Sequence, residues 1–140
     1  MSMRIKLMLF LSFLFLTAIG NSIFTFKMEA YEEDKLKWVI HTHEVLIETE
    51  KLLTHLKDAE TGQRGYLLTL NNSYLKPYHS GVSLTKVHFD KLRRLTSNNA
   101  EQQKRLDALQ DHIALKLDEL ATTISFADTN RIDQALALVK

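Results

Sequence analysis

The sequence contains no cysteine, one proline and four glycines in 140 residues. The absence of cysteine excludes a disulfide framework and a cysteine-based zinc site. The low proline and glycine content favours helices over a turn-rich β fold. Lys+Arg 18 and Asp+Glu 17 nearly cancel. The chain therefore lacks the strongly basic character of a nucleic-acid-binding protein, and we expect no nucleic-acid partner.

Catalytic motifs are also missing. The sequence has no glycine-rich phosphate loop, no HExxH and no GxSxG. Asp58 and Glu60 are two residues apart, so on a helix they point to different faces and do not form a carboxylate pair. The six histidines are scattered, and no third metal ligand joins any close pair: His41, His43, His55, His79, His88 and His112. We expect no enzyme activity, no cofactor and no metal site in this chain.

One long apolar run is present, from Leu7 to Phe26, without a charged residue. As a helix it would span about 30 Å, the thickness of a bilayer core. Arg4 and Lys6 precede it and an acidic flank follows, so the positive-inside rule predicts a cytoplasmic N-terminus. This gives residues 1–6 as cytoplasmic, 7–26 as a transmembrane helix and 27–140 as extracytoplasmic, in the inner (cytoplasmic) membrane. The alternative is a cleaved signal peptide, since Ala18-Ile19-Gly20 could serve as a cleavage site.

The rest of the chain reads as helices separated by polar turns. The first helix continues from Lys27 to about Leu70, and the second covers about Ser73 to Thr96. Residues at spacings of three and four predict the buried face of the second helix, a third helix and the start of a fourth. The second helix has Tyr78, Val82, Thr85, Phe89, Leu92 and Thr96 at this spacing, and the fourth begins with Ile132, Ala135, Leu136 and Val139. The turns contain capping residues: Asn71-Asn72-Ser73, Thr96-Ser97-Asn98-Asn99 and Asp128-Thr129-Asn130. The predicted fold class is all-α: a transmembrane helix that continues into an up-down four-helix bundle, with the fourth helix truncated.

Helix lengths predict where the bundle lies. The first helix is almost twice as long as the second, so its partners can cover only its membrane-distal half, from about Leu46 onward. The segment from Lys27 to about Val45 is predicted to be a stalk. It would pair with the missing end of the fourth helix and with a second subunit, so we expect a homodimer.

The distal part of the first helix holds an unusual stretch, Asp58 to Leu68. Gly62 and Gly65 share one helix face, which would let another backbone come close. Seven-residue steps predict three neighbouring rows on the apolar side: Val45, Leu52, Ala59 and Tyr66; Val39, Leu46, Leu53, Glu60 and Leu67; Thr42, Thr49, Leu56, Gln63 and Leu70. Two polar residues, Glu60 and Gln63, thus fall on the apolar stripe. Glu44, Glu48, Glu50, Lys51 and Lys57 are assigned to the polar side.

Two interpretations remain open for the polar residues of this stretch. Glu60 and Arg64, four apart, form either a solvated ion pair or a buried acid with its partner, in which Gln63 takes part. The residues would be mainly structural, with a ligand contact as the alternative. Tyr66, Tyr74 and Tyr78 either pack as a cap on the distal turn or line a small ligand pocket.

The motif resembles a known family. The residues Asp58, Ala59, Glu60, Thr61, Gly62, Gln63, Arg64, Gly65, Tyr66, Leu67 and Leu68, followed by Tyr74-Leu75-Lys76-Pro77-Tyr78, are similar to the signature of the CHASE sensory domain of the third type. The resemblance covers Lys27 to Lys140 and the apolar run before it. Leu70-Asn71-Asn72 departs from the glycine-aspartate-proline-like turn that is more frequent in the family.

The resemblance implies a function. Such domains are extracytoplasmic helical inputs of bacterial sensor histidine kinases, cyclases and chemotaxis receptors, and no ligand follows from membership. It implies that Asp58–Tyr66 are motif residues with a structural or signalling role, and that a stimulus shifts the first helix against the fourth. We therefore expect a two-component sensory module whose cytoplasmic output domain lies outside this sequence. The alternative is a secreted or membrane-anchored helical-bundle binding protein without a signalling role.

The fourth helix carries one further expectation. About 44 residues would be needed to return to the membrane, and only about ten follow Asn130. The sequence is therefore interpreted as a fragment of a longer receptor or as a truncated gene product, with apolar surface that dimerisation would cover.

Overall fold

The computed structural model describes residues 2–138, with the side chains of all but Ala30, Glu33 and Asp34. Helix α1 spans Met3–Thr69, α2 Leu75–Leu95, α3 Ala100–Asp128 and α4 Ile132–Leu138. A single 3₁₀ turn, Asn72–Tyr74, precedes α2. No strand occurs between residues 2 and 138. The all-α prediction is confirmed.

The chain divides into two compact units, one ending at Thr42 and the other beginning at His43. The first unit holds one helix long and apolar enough to cross a membrane, Met3–Glu29, whose apolar side chains are exposed. The hydroxyls of Ser12 and Thr17 donate to the carbonyls of Met8 and Leu14. The helix thus satisfies these polar groups internally, as a lipid environment requires.

The second unit is built from antiparallel neighbours. Glu48 of α1 contacts His88 of α2, whereas Gly62, later in α1, lies against Tyr78, earlier in α2. The two helices are therefore antiparallel. Gln63 of α1 bonds to Thr123 of α3. The order of these contacts along the chain is that of an up-down bundle.

The helix starts follow the predicted capping chemistry. The Asn71 side chain accepts a hydrogen bond of 2.9 Å from the Ser73 N–H and so starts the 3₁₀ turn. Pro77 is the third residue of α2, where its missing N–H leaves no intrahelical bond unmade. Asn99 caps α3 by accepting from the Gln102 N–H at 3.1 Å.

Two helices end on residues in the left-handed conformation. Asn130 has φ 61°, and the Arg131 N–H donates to the Phe126 carbonyl at 2.8 Å, which closes α3 with a Schellman-type turn. Leu70 ends α1 with φ 53°. Asparagine tolerates this conformation, but leucine does so only at a cost of about 1–2 kcal/mol.

The core consists of two apolar clusters at different heights. The first cluster joins α1, α3 and α4 through Tyr66, Leu67, Ile124, Ala127 and Ala135. The second joins α1, α2 and α3 through Leu52, Phe89, Leu92 and Leu106. Ala135 is fully buried and anchors α4 on the bundle.

The burial of α1 confirms the first predicted row, corrects the second and confirms the third only in part. Leu52, Ala59 and Tyr66 are buried, as expected for the first row. The second row is wrong over most of its length, because Leu46 and Leu53 are exposed. The buried stripe extends toward the opposite neighbours of the first row, Glu48 and Gln63, because α2 and α3 pack on that side of the helix.

Three smaller predictions are also corrected. Thr49 and Leu70 of the third row are exposed rather than buried. Leu136 of α4 is exposed, since the neighbouring Ala135 occupies the contact with the core. Val139, predicted to belong to the apolar face of α4, lies outside the described residues.

Candidate functional site

The glycine contact of the motif brings the α1 backbone against the start of α2. A Cβ atom at Gly62 would lie 2.6 Å from the Tyr78 backbone nitrogen and 2.7 Å from the Tyr74 carbonyl oxygen. Distances this short do not occur between real atoms of these types, so only glycine fits at the observed separation. The close approach predicted for Gly62 is confirmed.

Gly65 makes a different contact. A Cβ atom there would collide with the ring of Tyr74, not with backbone. Tyr74 is 43% exposed, so its ring has room to turn away. Gly65 thus provides a shelf for an aromatic side chain, and Gly62 provides the backbone contact.

A second backbone contact between the same helices involves residues that precede Gly62 in α1, and it was not predicted. A Cβ atom at Gly81 of α2 would lie 2.5 Å from the His55 carbonyl oxygen and 2.7 Å from the Ala59 nitrogen. The signal was present in the sequence, because Gly81 follows Tyr78 by three and precedes Thr85 by four on the predicted buried face. Gly62 and Gly81 together fix α1 and α2 at close distance over about two turns.

Gln63 forms a buried polar link from α1 to α3. Its side-chain nitrogen donates to the Thr123 hydroxyl at 2.6 Å, and this hydroxyl donates to the Leu120 carbonyl at 2.8 Å. Gln63 and Thr123 are both fully buried. The prediction that Gln63 lies on the buried stripe is confirmed. The Gln63 side-chain oxygen has no hydrogen-bond partner among the described residues. The bond from its nitrogen still favours one register of α1 against α3, because a shift would leave this buried donor unpaired as well.

Tyrosines lie at the end of the bundle where α1 and α3 end and α2 begins. The Tyr66 hydroxyl donates to the Asp128 carboxylate at the end of α3. This hydrogen bond, together with burial, raises the pKa of Tyr66, and burial alone raises the pKa of Tyr78. Both phenols therefore stay neutral at physiological pH. Tyr66 belongs to the first apolar cluster and Tyr78 packs against it, while Tyr74 and Pro77 are exposed.

Glu60 is not the buried acid that the pattern suggested. Its side chain is 31% exposed, 2.9 Å from Arg64 and 3.7 Å from Lys116 of α3. Arg64 is itself largely exposed. The structure thus favours the interpretation of Glu60 and Arg64 as a solvated ion pair, and Lys116 extends this pair to α3. The reason is the rotation of the buried stripe away from the row of Leu46 and Leu53, to which Glu60 belongs.

The remaining motif residues are on the surface. Thr61 is exposed, and Asp58 is exposed with its carboxylate 3.6 Å from the His55 ring. The structure therefore splits the motif into two faces. One packs inward, namely Ala59, Gly62, Gln63 and Tyr66, and the other faces solvent, namely Asp58, Thr61 and Arg64.

The buried acid of the bundle is Glu48, which was assigned to the polar side. Its side chain is 2% exposed. One carboxylate oxygen lies 2.6 Å from His88 Nδ1, and the other accepts from Lys51 and Lys91 at 3.1 Å each. His88 also stacks on His55 of α1, with 5.1 Å between ring centroids.

The partners of Glu48 control its ionisation. The hydrogen bond from His88 lowers its pKa most, burial opposes this, and the lysine bonds add to the lowering, so that the pKa falls from 4.5 to about 2. The bond to Glu48 in turn raises the pKa of Lys91. We name this group, Glu48, Lys51, His88 and Lys91, the lower polar cluster. No periodicity rule predicts it, because the four partners come from two helices 40 residues apart in sequence and glutamate is normally exposed.

The side chains described above couple the helices of the bundle to one another. Within residues 2–138, no group of three or more His, Cys, Asp or Glu side chains is placed to hold a metal ion. Several polar contacts of the motif and of the lower polar cluster join α1 to α2 or α3. They fix the position of α1 in the bundle.

Comparison with known proteins agrees with this architecture. A family model described as the CHASE3 domain matches residues 35–140. Neither the curated proteins nor the solved structures provide a match. CHASE3 is a sensory domain of the extracytoplasmic type found in signalling receptors. The match covers most of the chain and includes the whole glycine motif and the bundle, so this chain belongs to the CHASE3 domain family.

Proposed function

We propose that this chain is the membrane-anchored input part of a signal-transduction receptor of the bacterial histidine kinase type. One observation carries the proposal. The helix that is long and apolar enough to cross a membrane, Met3–Glu29, is the first part of α1, and the last part of α1 carries the CHASE3 motif. A displacement of the motif along the helix axis therefore acts on the same secondary-structure element that enters the bilayer.

The orientation proposed is a cytoplasmic N-terminus and an extracytoplasmic bundle. It is supported by Arg4 and Lys6 before the apolar run and by the acidic flank after it. The chain itself is proposed to be non-catalytic and to act on an output domain in the cytoplasm. Its stimulus would change the relative free energies of two packings of α1 within the bundle.

A homodimer is part of this proposal. Leu46 and Leu53, one heptad apart, are 57% and 51% exposed on the side of α1 that faces away from its partners. Burying each leucine against a second copy would contribute about 1.5–3 kcal/mol. The absence of native cysteine allows a clean test, in which Leu46→Cys or Leu53→Cys is crosslinked in membranes. Both should give a covalent dimer, and Asp118→Cys, an exposed position on α3, serves as the control.

Topology can be tested with paired reporters. A phosphatase that is active only outside the cytoplasm should be active when fused after Asn71, and a fluorescent protein that matures only in the cytoplasm should be dark there. The opposite pair of results would rule out the proposed orientation. The same fusion proteins can carry the cysteine variants, so that orientation and association are measured in one system.

The second candidate is a secreted helical binding protein. Its support is that the apolar helix lies at the N-terminus, where signal sequences occur, and contains Ala18-Ile19-Gly20. Intact-mass analysis of the mature protein separates the two. Retention of residues 1–26 and resistance to carbonate extraction support a membrane anchor. A mass that corresponds to a chain beginning after Gly20 supports secretion.

A further inference from the structure

One row of α1 is covered by α4 near the end of the helix and exposed nearer to its beginning. Leu67 is buried in the apolar cluster that contains Ala135 of α4. Leu53 and Leu46 belong to the same seven-residue row, and both are exposed. The row therefore keeps its apolar character over a stretch of α1 where its leucines face solvent.

An apolar groove lies beside these two leucines, between α1 and α3. Its volume is about 180 Å³, and its walls include Val45, Thr49, Leu92, Leu106 and Leu109. Thr49 is within about 60° of both Leu46 and Leu53 around the helix, because residues three or four apart share a helix face. Each copy of the chain thus presents exposed leucines next to an open groove.

The groove has room for one leucine side chain. An engineered apolar cavity of roughly 150 Å³ holds benzene, and a leucine side chain is smaller than benzene. Leu46 does not fill the groove of its own chain, since the adjacent residue Val45 forms the wall and Leu46 itself is exposed. A leucine that fills the groove therefore has to come from another molecule.

The charges beside the groove and beside the leucines have opposite signs. Arg105 is the charged residue of the groove lining, and its exposed side chain lies 3.3 Å from Glu101 of the same helix. Glu50 follows Leu46 by four residues, so it lies on the same face of α1, and it is exposed. A surface with a leucine beside an acid, and a groove beside a base, is complementary to a second copy of itself, as a twofold-symmetric interface requires.

The membrane anchor places the two surfaces at the same height. If two copies enter one membrane through the first part of α1, their α1 helices point in the same direction, and Leu46 of each lies level with the groove of the other. We propose that the groove of each copy binds Leu46 of a second copy, with Glu50 of each placed against Arg105 of the other. The inference rests on the anchor and the homodimer proposed above, and it adds the surface that joins the two copies. Because α4 covers the same row at Leu67, the two α1 helices meet at Leu46 and separate toward the end of α1.

Charge exchange tests the pairing of Glu50 with Arg105. Glu50→Arg and Arg105→Glu each place like charges at both contacts of the dimer, so each variant alone should dimerise about threefold or more weakly than the wild type. A mixture of the two variants restores opposite charges at both contacts, so mixed dimers should exceed the random proportion. Native mass spectrometry of the full chain from detergent micelles counts the dimers, with one variant ¹⁵N-labelled to separate the masses.

Leu46→Ala tests the insertion of the side chain. The variant should weaken the dimer about tenfold or more, because the groove of each copy then buries less apolar surface. Leu115→Ala is the matched control, since Leu115 of α3 is 70% exposed and does not line the groove. It should dimerise like the wild type. Far-UV circular dichroism verifies the fold of each variant.

Crosslinking between two different cysteine variants locates the contact. Chains with Leu46→Cys, mixed in membranes with tagged chains that carry Leu109→Cys, should give a mixed product on oxidation, because Leu109 lines the groove. Leu68→Cys, at an exposed position near the end of α1, should give none with Leu109→Cys.

Several outcomes would overturn the inference. Random pairing of the two charge variants, or a Leu46→Ala dimer as strong as the wild type, means that the groove does not hold Leu46. If Leu46→Cys chains still crosslink to one another in that case, the homodimer remains and only the groove contact is wrong. If no cysteine variant crosslinks, the homodimer is wrong as well. A chain that stays monomeric, alone or with a bound lipid, would assign the groove to another occupant.

Discussion

Replacing Gly62 by alanine tests the closest contact in the bundle. The added Cβ would lie 2.6 Å from the Tyr78 nitrogen, 2.7 Å from the Tyr74 carbonyl oxygen and 3.2 Å from Pro77 Cγ. Ordinary van der Waals contact begins near 3.4 Å, so the start of α2 would have to move by most of an ångström. Both nearest atoms are backbone and cannot rotate away.

The expected magnitude combines two opposing terms. Overpacking of this kind costs about 1–3 kcal/mol or more, and alanine in a helix interior gains about 1 kcal/mol over glycine. Because both nearest atoms are backbone, the overpacking cost should lie in the upper half of this range. Gly62→Ala should therefore lower the free energy of unfolding by about 1–2 kcal/mol. Gly62→Leu should be worse, because the longer side chain has the same backbone in its path. In a domain of this size each kcal/mol corresponds to about 4–8 °C in Tm.

Gly65→Ala is the matched control. It lies one helical turn away on the same face, and the atoms in its path belong to the half-exposed Tyr74 ring. The ring can turn into solvent, so the variant should melt within about 1 kcal/mol of the wild type. Thermal melts by far-UV circular dichroism of the full chain in nanodiscs measure both. If Gly62→Ala melts at or above the wild type, or if both variants lose the same stability, the backbone contact does not constrain the bundle.

Three further predictions concern single side chains. Leu70→Gly should raise the free energy of unfolding by about 1 kcal/mol, because glycine adopts φ 53° without the leucine penalty; an unchanged urea midpoint would contradict this. The free energy of unfolding should fall as the pH drops from about 4.5 through about 2. The folded state favours the ionised carboxylate of Glu48, and this contribution is lost as the carboxylate becomes protonated. Urea midpoints across this range should fall less steeply for Glu48→Gln, and parallel profiles would exclude Glu48 as a source of the acid sensitivity. Glu60→Gln should change stability by less than about 1 kcal/mol, since its ion pairs are solvated; a loss of 3 kcal/mol in the same urea assay would restore the buried interpretation.

Periodicity and capping rules predicted most of the backbone. Asn71 and Asn99 cap where polar turns were expected, and α2 and α3 lie within a few residues of the apolar pattern. These features depend on local chemistry, so a single sequence contains the information. The close approach at Gly62 was predictable for the same reason, because glycine inside a good helix pattern needs a packing explanation.

The lower polar cluster could not be predicted in this way. Glu48 lies among other acidic and basic residues of α1, and only the arrival of His88 from α2 makes its burial favourable. The rule that glutamate stays exposed unless paired then works against the correct assignment, because the partner is distant in sequence. The exposure of Glu60 follows from the same cause: the direction from which α2 and α3 pack decides which row of α1 is buried, and seven-residue spacing alone leaves that choice open.

The two kinds of contact that hold α1 in the bundle differ in how they resist displacement. At Gly62 and Gly81 the contact is between backbones, so any sliding of α1 along α2 brings a Cβ-bearing residue into a space that admits none. At Glu48 the contact is made by charged side chains, and Lys51 and Lys91 are long, half-exposed and able to follow a small movement of the carboxylate. A displacement of α1 is therefore opposed most strongly at the motif and least at the lower polar cluster. The part of α1 that is nearer to the apolar segment in sequence thus has the more adaptable attachment, which is the property that a helix transmitting a shift would need.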